Sequence, residues 1–307
     1  MPKSIKPLST LLFFLFLLAI HSGASAISAA RTAQKSDARS GFITSWDGAK
    51  IHYLEAGKIS ATAPQLQASI LFVPGFTMPA WIWENQIAHF SVEYHVVAMD
   101  LRSQGDSPKT EEGHYPASQA RDIKAVIDQL HLAPVVLVGW SMAVTEIVSY
   151  VDQFGTSGVS GIVLVDGIAG LDLTSEVING NIDFLTTMQT NRPEETSDFV
   201  RSIFRKPHSE EYLQSLIKAS MATPTDAAIA MGISGFKTDN RPALVKIDKP
   251  TLIVGATKRL MPQFQNMQKS IPHARLEFFD DAGHALFVDD SDKFNALLNE
   301  FLTSLKQ

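Results

Sequence analysis

The sequence predicts an α/β chain: a mostly parallel sheet with helices on both faces, interrupted by an inserted helical cap. Three observations predict it. A short hairpin is followed by apolar strands and amphipathic helices in turn, the alternation that builds a parallel sheet. The strands are continuous apolar runs, as strands buried on both faces must be. From about Leu171 to Leu244 strand-like runs stop and only helical segments remain.

Taken in order, Lys3 and Lys6 precede the unbroken apolar run Leu11 to Ile20, and Ala24-Ser25-Ala26 offers small residues at cleavage spacing. That run is short of the ~18 residues a membrane-spanning helix wants. The expectation is a secretory signal peptide (residues 1–26) cut after Ala26, with Ala30 as a second site and an uncleaved anchor as the competing reading. The mature chain is then secreted or periplasmic, without stable membrane insertion. Residues 27–40 read as a loose leader. Gly41 to Ser45 and Lys50 to Glu55 alternate about Trp46-Asp47-Gly48, a hairpin with a glycine turn.

After the polar stretch Lys58 to Gln67, Ser69 to Val73 is a buried strand ending at Pro74-Gly75. Trp81 to Phe90 reads as helix and Tyr94 to Met99 as strand. Pro116 to Leu130 sets Ala120, Ile123, Val126, Ile127 and Leu130 on one helical face. Val135 to Val138 is the next strand, Met142 to Tyr150 the next helix, and Val159 to Val165 a strand ending at Asp166-Gly167. The insertion carries helices over Ile178 to Thr190, Ser197 to Phe204, Glu210 to Ala222 and Asp226 to Ile233. Sheet resumes with Thr251 to Val254, the helix Met261 to Ile271, the strand Arg275 to Phe279 and a last helix, Ser291 to Leu305. The core thus spans residues 41–170 and 245–307, and the helical cap 171–244.

At 307 residues and 45 % hydrophobic content, the chain has the material for one large core. A net charge of −6, with no basic run interleaved with aromatics, argues against nucleic acid as a partner. Zero cysteines rule out a disulfide framework, a thiolate zinc site and a cysteine nucleophile. No Gly-x-Gly-x-x-Gly, P-loop or metal-ligand spacing is found, so neither cofactor nor metal is expected. Asp289-Asp290-Ser291-Asp292 reads as the cap of the last helix.

The chemistry centres on Val135-Val136-Leu137-Val138-Gly139-Trp140-Ser141-Met142-Ala143. A strand that becomes a helix within one residue must bend sharply, and Ser141 sits on the bend. Serine is a weak nucleophile unless a base reaches its Oγ and backbone N–H groups face the developing oxyanion. The pattern is Gly-x-Ser-x-Gly in all but its last place, where Ala143 adds a methyl group and predicts a slightly wider elbow. The competing reading is a serine that only caps a helix.

Ligands of a parallel sheet gather at the carboxyl ends of its strands. His284 follows the strand Arg275 to Phe279 in a short loop and so falls at the same edge as Ser141, which makes it the candidate general base. Among the other histidines, His114 is in a loop and stays open. A carboxylate is needed to hold the imidazole in one tautomer. The expected place is the loop after Thr251 to Val254, but Gly255-Ala256-Thr257-Lys258-Arg259-Leu260-Met261-Pro262 contains no acid. The alternative is Asp166, at the end of the preceding strand, with Asp172 in reserve. The two oxyanion donors are expected to be the amides of Met142, at the helix start, and Phe76, in the loop after Ser69 to Val73. Trp81, Trp83, Trp140, Met142, Phe184, Leu185 and Met188 either line an apolar acyl pocket or are ordinary core.

With those residues in place, the sequence resembles the α/β-hydrolase superfamily over nearly the whole mature chain. Val73-Pro74-Gly75-Phe76 resembles its His-Gly-Phe oxyanion loop. Asp100-Leu101-Arg102-Ser103-Gln104-Gly105-Asp106-Ser107 resembles the structural turn Asp-x-Arg-Gly-x-Gly-x-Ser, with Ser103 in place of a glycine. Gly139-Trp140-Ser141-Met142 is similar to the nucleophile elbow and Asp281-Ala282-Gly283-His284 to the histidine loop. The resemblance implies an α/β-hydrolase fold and a Ser-His-Asp hydrolase, similar to the esterase branch that includes cofactor-free proteins labelled non-heme haloperoxidases. A serine at the elbow argues against dehalogenase or epoxide hydrolase chemistry, which in similar folds uses an aspartate there. The expected substrate is a small-molecule ester of small to medium apolar character. Other readings keep the same residues but cleave a C–C, lactone or amide bond or make peracids, or leave a non-catalytic ligand-binding protein on the scaffold.

Overall fold

The computed structural model describes residues 37–57 and 68–306. The expected signal peptide, leader residues 27–36 and the polar stretch 58–67 lie outside the described residues. The elements are β1 (Arg39–Thr44), β2 (Lys50–Ala56), β3 (Ser69–Val73), α1 (Glu84–Phe90), β4 (Val96–Met99), α2 (Pro116–Gln129), β5 (Val135–Trp140), α3 (Ala143–Phe154) and β6 (Val159–Val165). Four helices follow without a strand: α4 (Ser175–Thr190), α5 (Arg192–Ser202), α6 (Glu210–Ala222) and α7 (Thr225–Lys237). Then come β7 (Thr251–Gly255), α8 (Met261–Ser270), β8 (Ala274–Phe278), α9 (Leu286–Asp289) and α10 (Ser291–Ser304).

The strands form one eight-stranded sheet in the order β1-β2-β4-β3-β5-β6-β7-β8. β1 and β2 run antiparallel, and every pairing from β4–β3 to β7–β8 is parallel. The unbroken apolar runs are explained by this position: every residue of β3, β4, β5 and β7 is buried, with helices on both faces.

Some boundaries differ from the sequence reading. β1 begins inside the expected leader, because Arg39 and Ser40 pair with Glu55 and Leu54 of β2. Trp81 to Phe90 divides into a 3₁₀ turn, Ala80–Trp83, and α1. The Tyr94 amide donates back to the Phe90 carbonyl (2.8 Å), closing the end of α1, so β4 starts only at Val96. α5 starts at Arg192, five residues early, with Pro193 in its first turn where a missing N–H costs nothing.

The register at the carboxyl edge decides which loops meet there. β5 lies between β3 and β6, and Trp140 pairs with Val165. Val165 in turn pairs with Val254, and Gly255 with Phe278. The residues just past β5, β6, β7 and β8 therefore emerge side by side.

Candidate active site

Ser141 occupies the turn between β5 and α3 with φ of 60°, a left-handed conformation that a side chain pays for. The Ser141 amide donates to the Val165 carbonyl at 2.8 Å, and the Val144 amide closes the first turn on the Ser141 carbonyl at 3.1 Å. The bend needs close passage of backbones. A Cβ at Gly139 would lie 3.0 Å from the Ala143 carbonyl, and one at Gly75 would lie 3.0 Å from the Ser141 Cβ. Ala143 itself is fully buried, so the extra methyl is absorbed in the packing between α3 and the sheet.

The hydroxyl thus presented meets His284: Ser141 Oγ lies 2.8 Å from Nε2. On the other side of the ring, Nδ1 lies 2.7 Å from Asp166 Oδ2. An ionised carboxylate only accepts, so Nδ1 carries the proton and Nε2 is left to accept from the serine hydroxyl. Asp166 is 1 % exposed and also has positive φ, 42°. Its Oδ1 accepts from the amides of Ala256 (2.7 Å) and Thr257 (3.0 Å), and Oδ2 accepts from Thr257 Oγ1 (2.6 Å) as well as from the histidine. All four of these partners are donors. The loop after β7, which lacks an acid of its own, supplies three of them.

The histidine loop is anchored from two directions. Trp140 Nε1 donates to the His284 carbonyl at 2.8 Å, tying the elbow to the histidine loop. Asp289, on α9, accepts at Oδ2 from the amides of Gly283 (2.7 Å) and Arg205 (2.8 Å), and its Oδ1 lies 2.9 Å from His208 Nε2. One buried carboxylate thereby joins the histidine loop to the link between α5 and α6.

Ser141, His284, Asp166, Phe76 and Met142, the five residues singled out in the sequence, line one cavity of about 220 Å³. Ile168, Leu171 and Leu260 supply apolar wall, and Val177 of α4 and Gly235 of α7 belong to the same lining. Phe76 also touches the inserted helices, with ring centroids 6.1 Å from Phe184 and 6.0 Å from Phe199. The arrangement can move a proton from Oγ to Nε2 while a buried carboxylate stabilises the resulting imidazolium.

Other sequence candidates lie elsewhere. Asp172 is exposed and pairs with Arg241 at 2.6 Å. His114 is buried beside Ser103 Oγ (2.9 Å), and desolvation together with the Arg102 charge lowers its pKa. Ser103 has φ of 61°, which explains the glycine of the related turn, and its Oγ accepts from the Thr110 amide at 2.9 Å. Of the seven apolar residues offered as an acyl pocket or core, only Met142 lines the cavity. Trp83 stacks on Phe287 at 3.7 Å in the core, and Phe184 and Met188 are buried residues of α4 itself. Among the described residues, His52, Asp100 and Asp106 bring three potential metal-ligand atoms within 4.8 Å of one another. There Asp100 Oδ2 already accepts from His52 Nδ1 (2.6 Å) and the Asp106 amide (3.0 Å), which closes the turn.

The description "Alpha/beta hydrolase family" fits residues 70–297. The AB hydrolase superfamily protein YisY of Bacillus subtilis is 25 % identical over 248 residues, 76 % of this chain and 91 % of that protein. The non-heme chloroperoxidase of Streptomyces lividans is 25 % identical over 286 residues, 86 % of this chain and all (100 %) of that protein. Among solved structures, an esterase from Exiguobacterium antarcticum superposes with a TM-score of 0.77 at 25 % identity, covering 85 % of this chain and 98 % of its own.

Proposed function

This chain belongs to the alpha/beta hydrolase family and is a hydrolase, and from that premise we propose that it cleaves small to medium apolar carboxylic esters through an acyl-enzyme on Ser141. The observation that carries the proposal is the unbroken line from Ser141 Oγ through the His284 ring to Asp166, opening into a cavity of about 220 Å³. Ser141 Oγ attacks the acyl carbon as His284 Nε2 takes its proton. Asp166 keeps the ring oriented and balances its charge. The amides of Phe76 and Met142 face the oxygen as it becomes an oxyanion, where fixed donors act most strongly. His284 then protonates the departing alcohol, and a water molecule repeats the sequence on the acyl-enzyme. A cavity of about 220 Å³, below the ~300–1,000 Å³ usual for ligand sites, supports short acyl and alcohol groups.

Ser141→Ala is expected to abolish turnover of p-nitrophenyl butyrate with an unchanged melting temperature, and a fluorophosphonate is expected to label Ser141 and nothing else. Undiminished turnover by the pure variant refutes the nucleophile. A protein that neither turns over esters nor takes the label is a binding protein on this scaffold. Export belongs to the same proposal and rests on residues 1–26 of the sequence; the exported protein is expected to begin at Ile27, and N-terminal sequencing that finds Met1 refutes it.

A further inference from the structure

The serine, the imidazole and the carboxylate are held by the sheet's carboxyl edge, but the loop after β3 is also held from the inserted helices. Phe76, whose amide the proposed reaction uses, and Thr77 are the two central residues of a turn closed by the Met78 amide on the Gly75 carbonyl at 3.2 Å. The Phe76 ring centroid lies 6.1 Å from that of Phe184 in α4 and 6.0 Å from that of Phe199 in α5. Thr77 Oγ1 lies 2.7 Å from Ser220 Oγ of α6, and either hydroxyl can donate. Thr77 and Ser220 are both fully buried. Two consecutive residues of this loop therefore touch three of the four inserted helices.

Thr77 carries the unusual feature. Its φ of 57° is left-handed, and in the second central place of a turn that conformation belongs to glycine or asparagine. A β-branched side chain there is strained and persists only where its surroundings hold it. The bond to Ser220 is the polar contact that the Thr77 side chain makes among the described residues. Ser220 is itself fixed from behind. Arg192 Nη2, at the start of α5, donates to the Ser220 carbonyl at 3.0 Å and to the Thr223 carbonyl at 3.3 Å, while its Nε donates to Thr196 Oγ1 at 3.0 Å. At the other end of the turn, a Cβ added to Gly75 would lie 3.0 Å from Ser141 Cβ. Three residues of turn thus reach from the nucleophile to the cap.

We infer that Ser220 is a positioning residue for the proposed reaction: its hydroxyl holds Thr77 in the left-handed conformation and so keeps the Phe76 amide facing the oxygen that becomes the oxyanion. Without the bond, Thr77 relaxes toward negative φ, which turns the Phe76–Thr77 peptide and shifts the amide beside it. A donor displaced in this way weakens transition-state binding more than substrate binding, because the charge it faces develops only in the transition state. The cap then contributes to the rate as well as to the cavity wall.

The inference rests on the ester-hydrolase reading, and the test separates the two. Ser220→Ala and Thr77→Val each remove one hydroxyl and change the shape of the side chain little. In both, kcat for p-nitrophenyl butyrate is expected to fall at least about tenfold with KM within about threefold, part of the ~10²–10³-fold that losing a whole oxyanion donor costs. The inhibition constant of butyl trifluoromethyl ketone, to which Ser141 Oγ adds to give a tetrahedral oxyanion, is expected to rise by about the same factor. Thr77→Ser keeps the hydroxyl and is expected to lose less than Thr77→Val. Because the two hydroxyls act as one pair, the double variant is expected to lose about as much as either single variant, not the product of both. A bond that only supports the fold would lower the melting temperature and leave kcat and the inhibitor unchanged. That result in either folded variant overturns the inference, as does a double variant whose losses multiply. If the wild type neither hydrolyses an ester nor takes a fluorophosphonate label, the hydrolase reading fails and the inference falls with it. An active wild type matched by its variants removes the inference alone.

Discussion

Asp166→Asn changes one atom and separates orientation from packing. In the native site every neighbour of this carboxylate is a donor: His284 Nδ1, Thr257 Oγ1 and the amides of Ala256 and Thr257. An asparagine keeps its oxygen on the two amides, whose directions the loop after β7 fixes. Its NH₂ then faces Thr257 Oγ1 and His284 Nδ1. The threonine hydroxyl can rotate to accept. The imidazole can accept only by moving its proton to Nε2, the nitrogen 2.8 Å from Ser141 Oγ. The base is then protonated where it must receive a proton, and the imidazolium loses its counter-charge. The equivalent change in a Ser-His-Asp site elsewhere costs about 10⁴-fold in kcat, or about 5 kcal/mol of barrier. A loss of that order in p-nitrophenyl butyrate turnover is expected, with KM changed little and with a circular dichroism spectrum and cooperative melt like the wild type. Turnover within tenfold of wild type in a folded protein refutes Asp166 as the group that orients His284.

Two further changes probe buried acids outside the reacting groups. Glu146, one turn into α3, is fully buried with no side-chain partner for its carboxyl oxygens among the described residues, and burial, opposed by a hydrogen bond to its own backbone, pushes its pKa up to about 8. Between the unfolded value of about 4.3 and 8 the folded state holds a proton that the unfolded state releases, so stability declines as pH rises, by at most about 1.4 kcal/mol per pH unit. Glu146→Gln is expected to remove that slope, read from melting temperatures between pH 5 and 8; parallel curves for the two proteins refute it. Asp289→Ala strips the acceptor from the amides of Gly283 and Arg205 and from His208. Urea unfolding is expected to show a loss of about 2–4 kcal/mol, and kcat is expected to fall more than KM rises because the histidine loop loosens; unchanged kcat refutes the positioning role.

How much of this was legible without coordinates depends on whether the signal was local. The elbow was, because a β-branched run broken by Gly139 and followed by helical spacing admits one geometry. His284 was legible because β8 and its short loop place it at the sheet's carboxyl edge. The boundary of β1 was not, since Arg39 and Ser40 owe their extended form to pairing with β2 and have no apolar pattern to betray it. The apolar residues offered for the pocket mostly went to the core, because composition shows that a ring is buried but not which side of the sheet buries it. Asp289 was read as a helix cap, and its actual partners, Gly283, Arg205 and His208, come together only through the tertiary fold.

The acid-free loop after β7 is the most instructive case. Taken as sequence, it is a departure that puts the third member of the triad in question. In the fold, its register beside β6 brings the amides of Ala256 and Thr257 and the Thr257 hydroxyl onto Asp166. The loop expected to hold the carboxylate holds the carboxylate's donors instead. Three hydrogen bonds of 2.6 to 3.0 Å fix the Asp166 carboxylate in place although the loop itself has no acid. An acid one strand away from its expected loop therefore still stands 2.7 Å from His284 Nδ1, while the opposite ring nitrogen stays 2.8 Å from Ser141 Oγ.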